Sequence, residues 1–106
     1  MFGRQVTLKL KANSATELNR IAEAEILPIL RKQKGFRDET TFIAPERAEA
    51  IVNSFWDTKA DADAYSQTAY PEVLKTLSSV IDGTPTVKNF EFASSTLRPV
   101  TASKLV

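Results

Sequence analysis

Cysteine and histidine are both missing from the 106 residues. The first absence excludes a disulfide framework, thiolate metal sites and Cys nucleophiles. The second removes the commonest metal ligand and the usual base at neutral pH. Zinc sites and His-ligated haem are thereby excluded. An excess of charge is missing too: 14 Lys and Arg against 13 Asp and Glu leave a formal charge of +1. Such a chain has no long-range field to steer phosphate or anionic lipid, and no nucleic acid partner is expected. The longest uninterrupted apolar run is Ile26-Leu27-Pro28-Ile29-Leu30, far short of a membrane span, and Met1 to Lys11 carries charge where a signal peptide needs an apolar stretch. A soluble cytoplasmic protein without membrane contact is the expectation. Only 3 glycines and 5 prolines occur, with no repeat or linker, so organisation has to be read from periodicity. The length suits one domain over residues 1–95, followed by a polar tail over residues 96–106.

From Gln5 to Leu10 the chain alternates, with Val6, Leu8 and Leu10 on one face, which predicts a half-buried strand. Ser14 then opens a helix, and Glu17 three residues on completes the pattern of a capping box. Leu18, Ile21, Ala22, Ile26, Ile29 and Leu30 follow at helical spacing, Arg31, Lys32 and Lys34 suit the negative end of the dipole, and Gly35 is the stop. Pro28 interrupts this stripe. It lacks an amide hydrogen and crowds the carbonyl of Ala24, so the helix is expected to bend or break there.

Phe36 to Ile43 reads as a strand with Phe36 and Phe42 on one face and Ile43 on the other; Ala44-Pro45-Glu46-Arg47 makes a turn, and Glu49 to Asp57 returns. Thr58 caps a short helix containing Ala60, Ala64 and Tyr65. Pro71 suits the first turn of another, whose stripe is Val73, Leu74, Leu77, Val80 and Ile81, ending at Asp82-Gly83. A last strand is expected from about Thr86 to Ser94, with Phe90 and Phe92 on one face. Strand, helix, strand, strand, helix pair, strand is the ferredoxin-like split βαβ order, an α+β fold with a four-stranded antiparallel sheet and its helices on one side. The other side is not polar: Ile51 and Phe55 lie opposite Val52 and Trp56, and Ile43 and Val87 lie opposite Phe42 and Phe90. Both faces want cover, and the economical cover in so short a chain is a second copy, a homodimer packed sheet to sheet.

Pro28-Ile29-Leu30-Arg31-Lys32-Gln33-Lys34-Gly35-Phe36-Arg37, Ile51-Val52-Asn53-Ser54-Phe55-Trp56-Asp57-Thr58 and Ala62-Asp63-Ala64-Tyr65 together resemble the antibiotic biosynthesis monooxygenase family of dimeric α+β barrels. In that family a helix ends in Gly-Phe, a hairpin follows, and a strand ends in Trp plus an acidic residue before an alanine-rich helix. The likeness runs over about residues 4 to 94. It implies a cavity between sheet and helices that holds a small flat aromatic molecule. Oxygenases of this type use neither metal nor flavin, because a deprotonated electron-rich phenol passes electrons to dioxygen itself, so no cofactor is expected. The haem-degrading branch shares the Trp but uses a histidine on iron, which this chain lacks.

The resemblance implies a ligand contact for Trp56; burial of so large a ring at a strand end favours a core anchor. It also asks for an amide beside that Trp. Asn53 is the candidate, yet positions 53 and 56 fall on opposite faces of a regular strand, which directs Asn53 toward the dimer barrel unless a bulge intervenes. For a proton acceptor, Asp38 between Phe36 and Phe42 gains a raised pKa if buried, or is solvated or paired with Arg37. Tyr65 and Tyr70 flank the gap between helices, where they either bond a ligand or rest on the core. Catalytic candidates are therefore Trp56, Asp38 and Asn53; substrate-binding candidates are Trp56, Tyr65, Tyr70 and Phe92. RNA-recognition domains share the topology, but Glu49 to Asp57 has neither the glycine nor the basic residue they carry, and a ferredoxin proper needs cysteine. Two functions remain, a cofactor-independent monooxygenase and a catalytically silent binding or interaction module of the same fold. A carboxylate with a raised pKa in the cleft distinguishes them.

Overall fold

A computed structural model describes residues 1–44, 46 and 48–94. Alternation makes the strands: β1 (Phe2–Leu10), β2 (Phe36–Ala44), β3 (Glu49–Trp56) and β4 (Ile81–Glu91) form one antiparallel sheet in the order β2-β3-β1-β4. On β1 the buried residues are Phe2, Arg4, Val6, Leu8 and Leu10, in strict period two. Their register partners on β3 are Trp56, Ser54, Val52 and Ala50, so these two central strands give the sheet one face on which the helices lie. Helices α1 (Ala15–Ile21), α2 (Leu27–Arg31), α3 (Lys59–Thr68) and α4 (Tyr70–Leu77) cover it with Leu18, Ile21, Leu30, Tyr65, Val73 and Leu77. The tail and Pro99, along with Pro45 and Arg47 of the first hairpin, lie outside the described residues.

Between α1 and α2 the chain makes a π-helical segment, Ala22–Ile26, and the Leu27 amide reaches five residues back to the Ala22 carbonyl. Pro28 follows in the first turn of α2, where a missing amide hydrogen is harmless. The expected interruption thus takes the form of an extra residue in one turn, which gives the carbonyls room beneath the proline ring. The capping box does not form. Arg20 takes the Glu17 carboxylate through two hydrogen bonds of 2.8 and 2.7 Å, and Ser14, at φ −101° and ψ 0°, is not in the extended conformation that turns a capping side chain onto the first amides. Thr58 does cap α3, its Oγ1 accepting from the Asp61 amide at 3.1 Å.

Two further expectations change. Helix α4 stops at Leu77, and Ile81-Asp82-Gly83 already belongs to β4. Gly83, at φ +71°, sits in a register irregularity where β1 advances from Thr7 to Lys9 while β4 runs from Thr86 back to Asp82. Here glycine marks a bulge rather than a helix end. In β2 the register slips between Phe36 and Asp38, which oppose Trp56 and Phe55 respectively. That one extra residue reverses the alternation. Phe36 therefore points under the helices against Trp56, whereas Phe42 opposes Ile51 on the other face and is 62% exposed.

The face away from the helices carries Phe42, Ile51, Phe55 and Phe90, with Phe92 edge-on to Phe55 at 6.0 Å. Phe90 is 51% and Phe92 37% exposed. A single copy leaves this apolar face open to water.

Candidate functional site in the cleft between sheet and helices

Arg4 is in phase with Val6 and Leu8, so strand alternation carries its guanidinium into the layer between sheet and helices, where the residue is only 4% exposed. The group lies 4.0 Å over the ring centroid of Tyr70 and 5.5 Å over that of Tyr65, and one of its terminal nitrogens donates to Ser66 Oγ at 3.3 Å. Among the described residues no carboxylate comes within 4 Å of it. Ring faces therefore supply most of the local compensation for this buried cation. Among the described residues no fully buried side-chain nitrogen or oxygen lacks a partner, so the Arg4 nitrogens without a hydrogen bond are not fully buried, and Arg4 lines the cleft.

Across the sheet, Arg4 opposes Ser54 and Ser54 opposes Glu39, so one polar row crosses three strands on the helix-covered face. Burial pushes the Glu39 carboxyl above its ordinary pKa; Thr41, whose hydroxyl donates to Glu39 Oε1 at 2.6 Å, works against this, and the neighbouring Asp38 charge works with it. Tyr65 is pushed up to about 12, chiefly by burial, against the pull of the Arg4 cation. It therefore stays a neutral phenol. Around this row stand Val6, Leu8, Leu18, Ile26, Val52 and Leu77, which make the rest of the cleft apolar. The enclosed volume is about 40 Å³. That is room for two or three waters, against about 150 Å³ for a cavity that takes benzene. A larger groove of about 510 Å³ runs between α1, the π-helical segment and α4, but it is open surface lined by Glu17, Arg20, Glu25, Glu72 and Lys75.

Of the sequence-derived candidates, Tyr65 and Tyr70 line the cleft. Trp56 stands one layer behind it, with no exposed surface: its ring stacks on Tyr65 at 5.0 Å, meets Phe36 edge-on at 5.6 Å, and its Nε1 donates to Ser54 Oγ at 2.9 Å. Asp38, Asn53 and Phe92 do not converge with it. The β2 bulge turns Asp38 to the other face opposite Phe55, and Asp38 Oδ1 accepts from the Glu39 amide at 2.9 Å. Asn53 lies on that face too, donating to Thr40 Oγ1 at 3.3 Å, as its odd spacing from Trp56 requires. Phe92 packs there against Phe55. Sequence reasoning missed Arg4, Glu39, Thr41 and Ser54. Arg4 left a signal, a charge in phase with Val6, Leu8 and Leu10; Glu39 left none, because its side of the sheet depends on the bulge.

Among the described residues no group of three or more His, Cys, Asp or Glu side chains could hold a metal ion, and no helix is long and apolar enough to cross a membrane. No family model matches the chain and no curated protein matches it. Solved structures do. A monooxygenase from the gene ActVA-Orf6 of Streptomyces coelicolor, in complex with the ligand nanaomycin D, superposes with a TM-score of 0.75 at 16% identity, covering 92% of both chains. NE2512 from Nitrosomonas europaea, a protein of unknown function, gives 0.71 at 15% identity over 92% of this chain and 94% of that one. A proposed antibiotic biosynthesis monooxygenase from Deinococcus radiodurans gives 0.69 at 13% identity, covering 93% and 99%. At such identities the likeness speaks for the backbone alone. With its four-stranded antiparallel sheet covered on one face by helices, this chain has the fold of the antibiotic biosynthesis monooxygenase structures.

Proposed function

We propose that the chain is a homodimeric small-molecule-binding barrel whose cleft deprotonates a flat, electron-rich ligand and lets dioxygen oxygenate it without a cofactor. The observation that carries this reading is Glu39: a carboxyl made more basic by burial, in an otherwise apolar cleft, within one polar row with Ser54 and Arg4. A carboxylate in that condition is suited to take a proton from an acidic CH₂ or phenol. For an anthrone-type CH₂ the balance closes with dioxygen alone: the carbanion gives its electrons to oxygen, one oxygen atom replaces both hydrogens as a carbonyl, and the other leaves with them as water. The cation of Arg4 stabilises the anion formed on the way. The fold shared with an ActVA-Orf6 monooxygenase is consistent with this chemistry. Asp38, Asn53 and Phe92 do not touch the ligand in this reading, Asp38 contributing only its charge beside Glu39, and Trp56 acts by holding Ser54 and Tyr65 in place.

The test is oxygen uptake with hydroquinones and anthrones, with isotope-labelled dioxygen followed into the product. Glu39→Gln is expected to slow turnover by about 100-fold or more while Asp38→Asn stays near wild type. Equal rates in wild type and Glu39→Gln would remove Glu39 from the reaction. One observation favours the silent binding module instead, the small volume of about 40 Å³. Ligand binding without oxygen uptake would establish that reading.

The dimer in this proposal forms through the open sheet face. Phe42, Phe90 and Phe92 are all more than a third exposed there, and a charge near neutrality does not oppose self-association. Wild type is expected to sediment as a dimer at micromolar concentration, and Phe42→Lys combined with Phe90→Lys as a folded monomer. A monomeric wild type overturns this part.

A further inference from the structure

We propose that the cleft selects a single-ring aromatic acid, its carboxylate seated on the Arg4 guanidinium and its opposite end directed at Glu39. The inference deepens the cleft-binding reading above and rests on it. Its basis is a mismatch between donors and acceptors. A guanidinium offers five N–H donors in a fixed fork, and among the described residues Arg4, 4% exposed, commits one hydrogen bond to protein, the 3.3 Å contact with the Ser66 hydroxyl. Burying a cation without a carboxylate is costly, and such groups are kept where something completes them. The guanidinium carbon lies over the ring faces of Tyr70 and Tyr65, 4.0 and 5.5 Å from their centroids, and neither contact supplies an oxygen acceptor, so N–H donors remain for a planar two-oxygen acceptor. Glu39, one strand further across the sheet beyond Ser54, does not serve: no described carboxylate lies within 4 Å of the guanidinium.

Geometry also limits ligand length. The backbones of Arg4 and Glu39 are two strand spacings apart, roughly 9–10 Å. Side chains rise roughly perpendicular to a sheet, so the two polar ends stand a comparable distance apart, on the scale of one ring with a polar group at each end rather than of several fused rings. Even one ring needs about 150 Å³ against the 40 Å³ enclosed, so entry requires side chains to move. The π-helical segment supplies Ala22 and Ile26 to the wall. Single-turn π-helical irregularities of this kind occur frequently at functional sites.

The experiment is calorimetric titration of the full chain with 4-hydroxybenzoate and with 4-hydroxybenzamide, which has the same shape without the charge. Wild type is expected to bind the acid about tenfold or more tightly than the amide. Arg4→Met is expected to bring the two within about twofold by losing the acid, while Arg4→Lys keeps part of the preference. Should Arg4→Met not fold, the Arg4 Nε–H resonance of wild type decides: the acid is expected to shift it and the amide to leave it unmoved. Equal affinities in wild type, or a preference that survives Arg4→Met, overturn the carboxylate assignment and leave the cleft reading standing. Binding of neither probe overturns the aromatic-acid assignment, and the oxygen-uptake assay then decides the cleft reading by itself.

Discussion

Gly35 joins α2 to β2 at φ +79°, and the α3 side chains press against it: a Cβ added there would stand 2.1 Å from Asp61 Oδ2 and 2.7 Å from Asp61 Cβ. Its carbonyl also accepts from the Asp57 amide at 2.8 Å, which ties the end of β3 to the start of β2. In Gly35→Ala two effects add. The left-handed backbone costs an L-residue roughly 1–2 kcal/mol, and forcing a methyl into occupied space costs roughly 1–3 more. The expected loss is therefore about 2–5 kcal/mol, a large share of the roughly 5–15 kcal/mol available to a domain. Gly83 provides the control. Its φ of +71° is nearly the same, but no atom lies within 4 Å of an added Cβ, so Gly83→Ala should lose only the backbone part, roughly 1–2 kcal/mol. Urea titrations of both variants, compared at a common slope, give the two losses. Adding Asp61→Gly to Gly35→Ala, measured against Asp61→Gly alone, should recover the packing part. Equal losses for the two glycine variants would refute the claim that close approach by α3, rather than the backbone angle, makes position 35 demanding. Phe36 follows directly, so a displaced Gly35 also shifts the ring that braces Trp56 behind the cleft.

Two other variants probe the polar row. Ser54→Ala strips the fully buried Trp56 indole of its acceptor and should cost about 1–3 kcal/mol in urea, with a change in Trp56 emission; a loss below about 0.5 kcal/mol would show that the 2.9 Å bond is replaced by water. For Glu39 the sign follows from its raised pKa: the folded chain holds a proton that the unfolded chain has released. Stability from this group is fully present below the ordinary carboxyl value of 4.5 and is lost as pH rises through the raised one. Glu39→Gln, neutral throughout, should flatten that part of the stability profile and exceed wild type at pH 7; a profile parallel to wild type would contradict the burial argument.

The architecture was legible because it rests on two periodicities that one sequence displays openly. Val6, Leu8 and Leu10 alternate, and Leu18, Ile21 and Leu30 recur at helical spacing, so element order and the covered face follow from burial alone. Misreadings arose where a single residue breaks a period. Gly83 looks like a helix stop in sequence and is a bulge in space, because glycine serves either use and only pairing with β1 decides. The slip between Phe36 and Asp38 has no marker at all, and it exchanges Asp38 for Glu39 in the cleft. Ser14 and Glu17 have the right spacing for a capping box, but Arg20 on the next turn competes for the same carboxylate. Arg4 was overlooked because the strand was begun at Gln5, three residues after its true start at Phe2.

The β2 irregularity also bears on folding fidelity. Strand β2 is written in two phases, Phe36 before the slip and Glu39, Thr41 and Ile43 after it. Sliding the strand by one residue against β3 would bury Phe42 and Thr40 under the helices and strand Glu39 among phenyl rings, so misaligned hairpins are penalised on both sides of the sheet at once. An edge strand, ordinarily the easiest to mispair, is thereby left with one alignment it can tolerate.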